Sequence, residues 1–72
     1  NYIDEVARVG SIRKAAERLN ITASALNRRV QDVEDELGTK IFERLPRGVR
    51  LNAAGELLIR HIRSQLADMG RV

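Results

Sequence analysis

The 72-residue sequence has no cysteine, one histidine and one proline. Without cysteine there are no disulfides and no thiolate metal sites, and the redox compartment is left open. His61 stands alone, so neither a catalytic dyad nor a standard zinc site has its parts. Lying beside Arg60 and Arg63, it reads as an ordinary surface or dimer-seam residue. No glycine-rich phosphate loop occurs, and the carboxylate pairs are those of helix surfaces. An enzyme is not expected, and no cofactor is expected in this domain. There is no run of about 18 apolar residues and no signal-peptide pattern, so the chain is expected to be soluble, cytoplasmic and without a membrane partner. It begins at Asn1 without methionine and stops inside a helical pattern, which reads as a piece of a longer protein.

What is present is positive charge, unevenly spread. Thirteen basic residues oppose ten acidic ones for a net charge of +3, and eleven of the thirteen are arginine. The acids cluster in Asp32-Val33-Glu34-Asp35-Glu36, and arginines gather at positions 28, 29, 44, 47 and 50. Segregated charge of this kind is the electrostatic footprint of a nucleic-acid binder. The length allows one domain with a modest core, since a chain of about 60 residues buries only about 60% of its unfolded surface.

The segment from Ser11 to Gly38 organises the rest. It reads as a helix, a tight turn at Asn20-Ile21-Thr22, and a second helix. In the second helix Leu26, Val30, Val33 and Leu37 recur at i, i+4, i+7 and i+11, which places them on one stripe. The opposite side carries Ser24, Asn27, Arg28 and Gln31, side chains able to reach phosphates or base edges. One face packs and the other presents polar groups, as in a DNA-binding helix-turn-helix with its second helix in the major groove.

The flanking elements follow from local chemistry. Tyr2, Ile3, Val6, Ala7 and Val9 have helical spacing, Gly10 suits a C-cap, and Ser11 suits the next N-cap. Ile12, Ala15, Ala16 and Leu19 then face inward. Asn20 can take the left-handed conformation, Ile21 plugs the core and Thr22 caps the third helix. Gly38 ends that helix. The acidic run near its C-terminus opposes the helix dipole, an effect that an Arg28–Asp32 pair and Lys40 would partly offset. It would also repel DNA, so only the N-terminal half of this helix is expected to enter the groove.

After Gly38 the period changes. Lys40–Arg44 and Val49–Leu51 read as short strands flanking Leu45-Pro46-Arg47-Gly48, a type I turn followed by a left-handed residue. A lone hairpin is marginal, so Phe42 and Leu51 are expected to pack on the helices. The result is a wing with Arg47 at its tip and Arg44 and Arg50 on its strands, suited to the phosphate backbone or minor groove. Asn52 caps a last helix running from about Ala53 towards Met69. Its stripe of Leu58, Ile62, Leu66 and Met69 is longer than so small a body needs, and pairing with a second copy would bury it. A two-fold dimer would set two recognition helices about 34 Å apart, or a multiple of that.

These motifs together resemble the N-terminal DNA-binding domain of LysR-type transcriptional regulators. The resemblance rests on Gly10-Ser11, Ala15-Ala16-x-x-Leu19, Ala25-Leu26 with Arg28, and Val33-Glu34-x-x-Leu37-Gly38. It continues through Ile41-Phe42-Glu43-Arg44, Arg47-Gly48-Val49-Arg50-Leu51 and Ala54-Gly55, nearly the whole chain. It implies a mostly α fold: a winged helix-turn-helix over 1–52, with a three-helix core and two-stranded wing, and a linker helix for dimerisation over 53–72. It further implies an effector domain outside this chain that senses a small-molecule co-inducer, interrupted inverted repeats as targets, and RNA polymerase as a partner of the full regulator. By position, Ala23, Ser24, Asn27 and Arg28 begin the recognition helix (22–37) and Arg47 lies in the wing. The chain departs from the usual pattern at Ala23-Ser24, where Gln-Pro is common, at Asn27 (Ser) and at Asn52 (Thr). Losing the glutamine removes one base-reading amide, and Asn27 offers another, through a bidentate contact to adenine.

The expected base readers are therefore Ser24, Asn27, Arg28 and Gln31. Backbone or wing contacts are expected from Ser11, Arg13, Lys14, Arg29, Arg44, Arg47 and Arg50. The alternative from another class is a winged-helix module that binds a protein through its acidic run and last helix.

Overall fold

In the computed structural model, residues 1–69 are described, with side chains described to Gln65. The order is α1 (Tyr2–Val9), α2 (Ile12–Leu19), α3 (Ala23–Leu37), β1 (Phe42–Leu45), β2 (Gly48–Leu51) and α4 (Ala53–Met69). No helix among the described residues is long and apolar enough to cross a membrane.

The helix boundaries follow from capping residues that satisfy orphan amides. The Asn1 Oδ1 accepts from the amides of Ile3 (2.8 Å) and Asp4 (3.2 Å). Ser11 Oγ accepts from the Lys14 amide at 3.2 Å, and Thr22 Oγ1 from the Ala25 amide at 3.1 Å. Gly10, Asn20 and Gly38 end their helices in the left-handed conformation, as expected. Asn20, with φ of 59°, is the one non-glycine there among the described residues, and the Ile21 amide closes the turn on the Ala16 carbonyl at 3.0 Å.

The core is Ile3, Val6, Ala15, Ala16, Leu26, Val30, Ile41, Phe42, Val49 and Ile59. Ala15 and Ala16 are both buried, and their size lets α2 approach α1 and α3. The expected stripe of α3 is only partly buried: Leu26 and Val30 are enclosed and Val33 is half-buried, but Leu37 is 49% exposed. The reason is length. The 15 residues of α3 span about 22 Å, whereas α1 and α2 have eight each, so the last turn outruns its cover. The i+4 neighbour of Val30 on the inward side is Glu34, which is buried. Glu34 Oε2 accepts the Ile41 amide at 2.8 Å and Oε1 lies 3.8 Å from Lys40 Nζ. A carboxylate from the acidic run thus latches the link between α3 and β1. The expected Arg28–Asp32 pair is not among the ion pairs of the described residues.

The hairpin is shifted from its expected limits. Phe42 pairs with Leu51, Glu43 with Arg50, Arg44 with Val49 and Leu45 with Gly48, leaving Pro46-Arg47 as a two-residue turn. The Val49 amide donates to the Gly10 carbonyl at 3.0 Å, which ties the wing to the α1–α2 junction. Gly48 is required by that approach, because a Cβ there would collide with the Gly10 carbonyl oxygen. On the other side Asn52 Oδ1 accepts the Gly55 amide at 2.9 Å, capping α4, while its Nδ2 donates to the Lys40 carbonyl at 2.8 Å. Gly55 lets α4 start directly against the Ile41 carbonyl.

In α4, Gly55 and Ile59 are buried, with Leu58 and Ile62 half-buried against the core. The expected apolar stripe therefore covers its own body at Leu58 and Ile62, and Leu57 is the residue left 67% exposed. The side chains of Leu66 and Met69 lie outside the described residues. Arg63 pairs with Asp4 at 2.9 Å and joins α4 to α1, while Glu5 holds both Arg8 (3.0 Å) and Arg18 (2.8 Å) across α1 and α2.

Candidate nucleic-acid interface

Thr22 begins α3 so that its first turns leave the body with Leu26 and Val30 inward and residues between them outward. Ser24, Arg28 and Gln31 are exposed, and Asn27 is half-buried on the flank next to β1. These four share the outer side of α3 anticipated from its period. No ion pair among the described residues engages Arg28, so its guanidinium is free for an anion or a base edge.

The arginines expected at this surface are sorted by the structure into different surroundings. Arg29 lies over the Tyr2 ring, 4.9 Å from its centroid, on the flank of α3 facing α1. Adjacent helical residues differ by about 100°, and here that step separates Arg28 from Arg29. Strand alternation separates Arg44 and Arg50. Arg44 shares the inner face of the hairpin with Phe42 and Val49, and its Nη2 donates to Asn27 Oδ1 at 3.2 Å. Arg50 lies on the outer face, paired with its cross-strand neighbour Glu43 at 2.9 Å. Arg47 sits exposed in the turn, outside every ion pair of the described residues.

Around the start of α2, the Ser11 hydroxyl is occupied as a cap. Arg13 lies 3.6 Å from Glu17, an exposed pair worth little. Lys14 is exposed and lines a shallow surface depression with Arg8, Val9 and Arg18. Lys14 on α2 and Arg47 in the wing turn are exposed and are engaged in no ion pair among the described residues. The exposed acids Asp32, Asp35 and Glu36 lie towards the far end of α3 and carry no ion pair among the described residues. The link between Asn27 and Arg44 escaped the sequence reading, since it joins residues 17 apart through a hairpin register visible only in the fold.

The arrangement has known counterparts. Residues 1–56 match the family model described as bacterial regulatory helix-turn-helix protein, lysR family. The chain is 41% identical over 70 residues to the transcriptional regulator TfdT of Cupriavidus pinatubonensis, covering 97% of this chain and 31% of that protein. Across the first curated relatives it matches, it spans about a fifth to a third of their length. Its fold superposes on the DNA-binding domain of CbnR, solved with DNA, with a TM-score of 0.87 and 36% identity over 97% of this chain and 80% of that one. The DNA-binding domain of BenM, solved on its catB site 1 DNA, gives 0.86 and 30% over 97% and 78%. The chain belongs to the LysR family of bacterial regulatory helix-turn-helix proteins and forms the DNA-binding domain of a transcription regulator rather than an enzyme.

Proposed function

We propose that this domain reads an inverted-repeat DNA site as a dimer, with the N-terminal half of α3 in the major groove. The observation that carries the reading is the outer surface of α3: Ser24, Arg28 and Gln31 exposed, Asn27 beside them, and no acid before Asp32. Arg28 and the amides of Asn27 and Gln31 match the donor and acceptor patterns of base edges. Lys14 on α2 and Arg47 in the wing serve as phosphate ligands, Arg47 on the adjacent backbone or minor groove. Arg44 and Arg50 add positive charge, each already tied to a neighbour, and Arg29 and Arg13 contribute from the flanks. Beyond the first half of α3 the acids turn the helix away from the phosphates.

The dimer is assigned to α4, whose exposed Leu57 and half-covered Leu58 and Ile62 suit a second copy of the same helix. The whole regulator would act in the cytoplasm, respond to a small-molecule co-inducer through another domain and work with RNA polymerase. These properties rest on family membership.

Fluorescence anisotropy with a labelled inverted-repeat duplex selected from random DNA, measured across a salt series, tests the reading. Steeply salt-dependent binding that prefers the selected repeat over random duplex is the expected result. Binding to neither at low salt would refute it.

A further inference from the structure

The contact between Asn27 and Arg44 joins the two elements that the proposed function brings to DNA. Asn27 lies on α3 and Arg44 on the inner face of the wing, where Arg44 is opposite the buried Val49. Both ends of the hairpin are held. The Val49 amide is bonded to the Gly10 carbonyl at 3.0 Å, and the Ile41 amide to Glu34 at 2.8 Å. Arg44 therefore approaches α3 from a fixed strand, and its Nη2 donates to the Asn27 Oδ1 at 3.2 Å.

An unbound asparagine amide presents an acceptor and a donor side by side. That is the complement of adenine, whose N6 amino group donates and whose N7 accepts. An amide oxygen has two lone pairs, and with one of them taken by a guanidinium the Asn27 amide becomes a weaker acceptor and a stronger donor towards DNA. A dominant donor favours guanine, which presents two acceptors, N7 and O6, in the major groove, over adenine, which presents one acceptor beside a donor. The cation also draws electron density from the amide and strengthens the remaining donor.

We infer that Arg44 is a positioning residue that clamps the Asn27 oxygen, so that Asn27 selects guanine rather than adenine at the base pair it faces. The inference rests on the major-groove reading of α3 and makes the wing a determinant of sequence as well as of affinity. It replaces the bidentate adenine contact expected from the sequence alone.

The test compares wild type, Asn27→Ala, Arg44→Ala and the double variant on a panel of duplexes carrying each base at each position of the selected site. Asn27 is half-buried and Arg44 exposed, outside the apolar core, and circular dichroism checks that each variant folds. Asn27→Ala identifies the base pair in question, as the position where preference flattens. At that position wild type prefers guanine over adenine, and Arg44→Ala moves the ratio towards adenine by about fivefold or more. In the Asn27→Ala background, Arg44→Ala leaves the ratio unchanged. Overall affinity falls on removing any nearby cation, so the ratio is the deciding readout. A wild-type preference for adenine there, or an Arg44→Ala that weakens all duplexes equally, overturns the inference while leaving α3 as a DNA reader. A wild-type protein that distinguishes no duplex from another removes both.

Discussion

Between Ala23 and Val30, α3 carries two exposed arginines and no acid, whereas between Gln31 and Leu37 it carries four acids and no cation. Their inward sides differ as well. The first half buries Leu26 and Val30 against α1 and α2. The second has a half-buried Val33, an exposed Leu37 and one enclosed carboxylate, Glu34. A single helix thus serves two purposes. Its first half is anchored by apolar packing and leaves its outer side free for recognition, and its second half is a strut from which the wing is hung. The charge asymmetry follows the same division, and in the proposed docking the acids on the strut keep that half away from phosphates.

The strongest way to break this division is to hollow out the anchor. Leu26→Ala removes a fully buried side chain and is expected to cost about 2–5 kcal/mol, measured by urea unfolding. In a domain of this size that approaches the whole stability. Glu34→Ala comes next, at about 1–3 kcal/mol, because it strands the Ile41 amide in a buried position. Glu34→Gln keeps an accepting oxygen and should lose less, which separates the hydrogen bond from the charge. On the recognition side, Arg47→Ala should leave unfolding unchanged. It should lower the slope of log affinity against log salt by about 0.9, the loss of one phosphate contact. The mildest change is Asp32→Asn with Asp35→Asn, which should shift stability by no more than about 0.5 kcal/mol. That pair should raise affinity for preferred and random duplexes alike. A change in base preference instead would mean that the strut also touches bases.

The helices were legible in the sequence to within a residue or two, because their signals are local. A 3.6-residue period, a capping Ser or Thr, and Gly or Asn able to turn left-handed all act within a few positions. What was hidden depends on tertiary register. Glu34 looked like one more solvated charge in an acidic run, although its i+4 relation to Val30 placed it on the packed side. Arg44 and Arg50 looked equivalent until the pairing of Phe42 with Leu51 put them on opposite faces. Asp4 and Arg63 are 59 positions apart, and nothing local links them. The same holds for the site. Ser24, Asn27, Arg28 and Gln31 came from the helix period, but the arginine stacked on Tyr2 and the one bonded to Asn27 required the fold.

The most direct test of a reading half and a strut half is the ratio of affinities for the selected repeat and for random duplex, in wild type and Arg28→Ala. If Arg28 contacts a base edge from the first half of α3, the variant loses about 1–3 kcal/mol on the selected site and far less on random DNA. The ratio then falls towards unity. Equal losses on both duplexes would make Arg28 a phosphate ligand and contradict the assignment of base reading to that half of the helix.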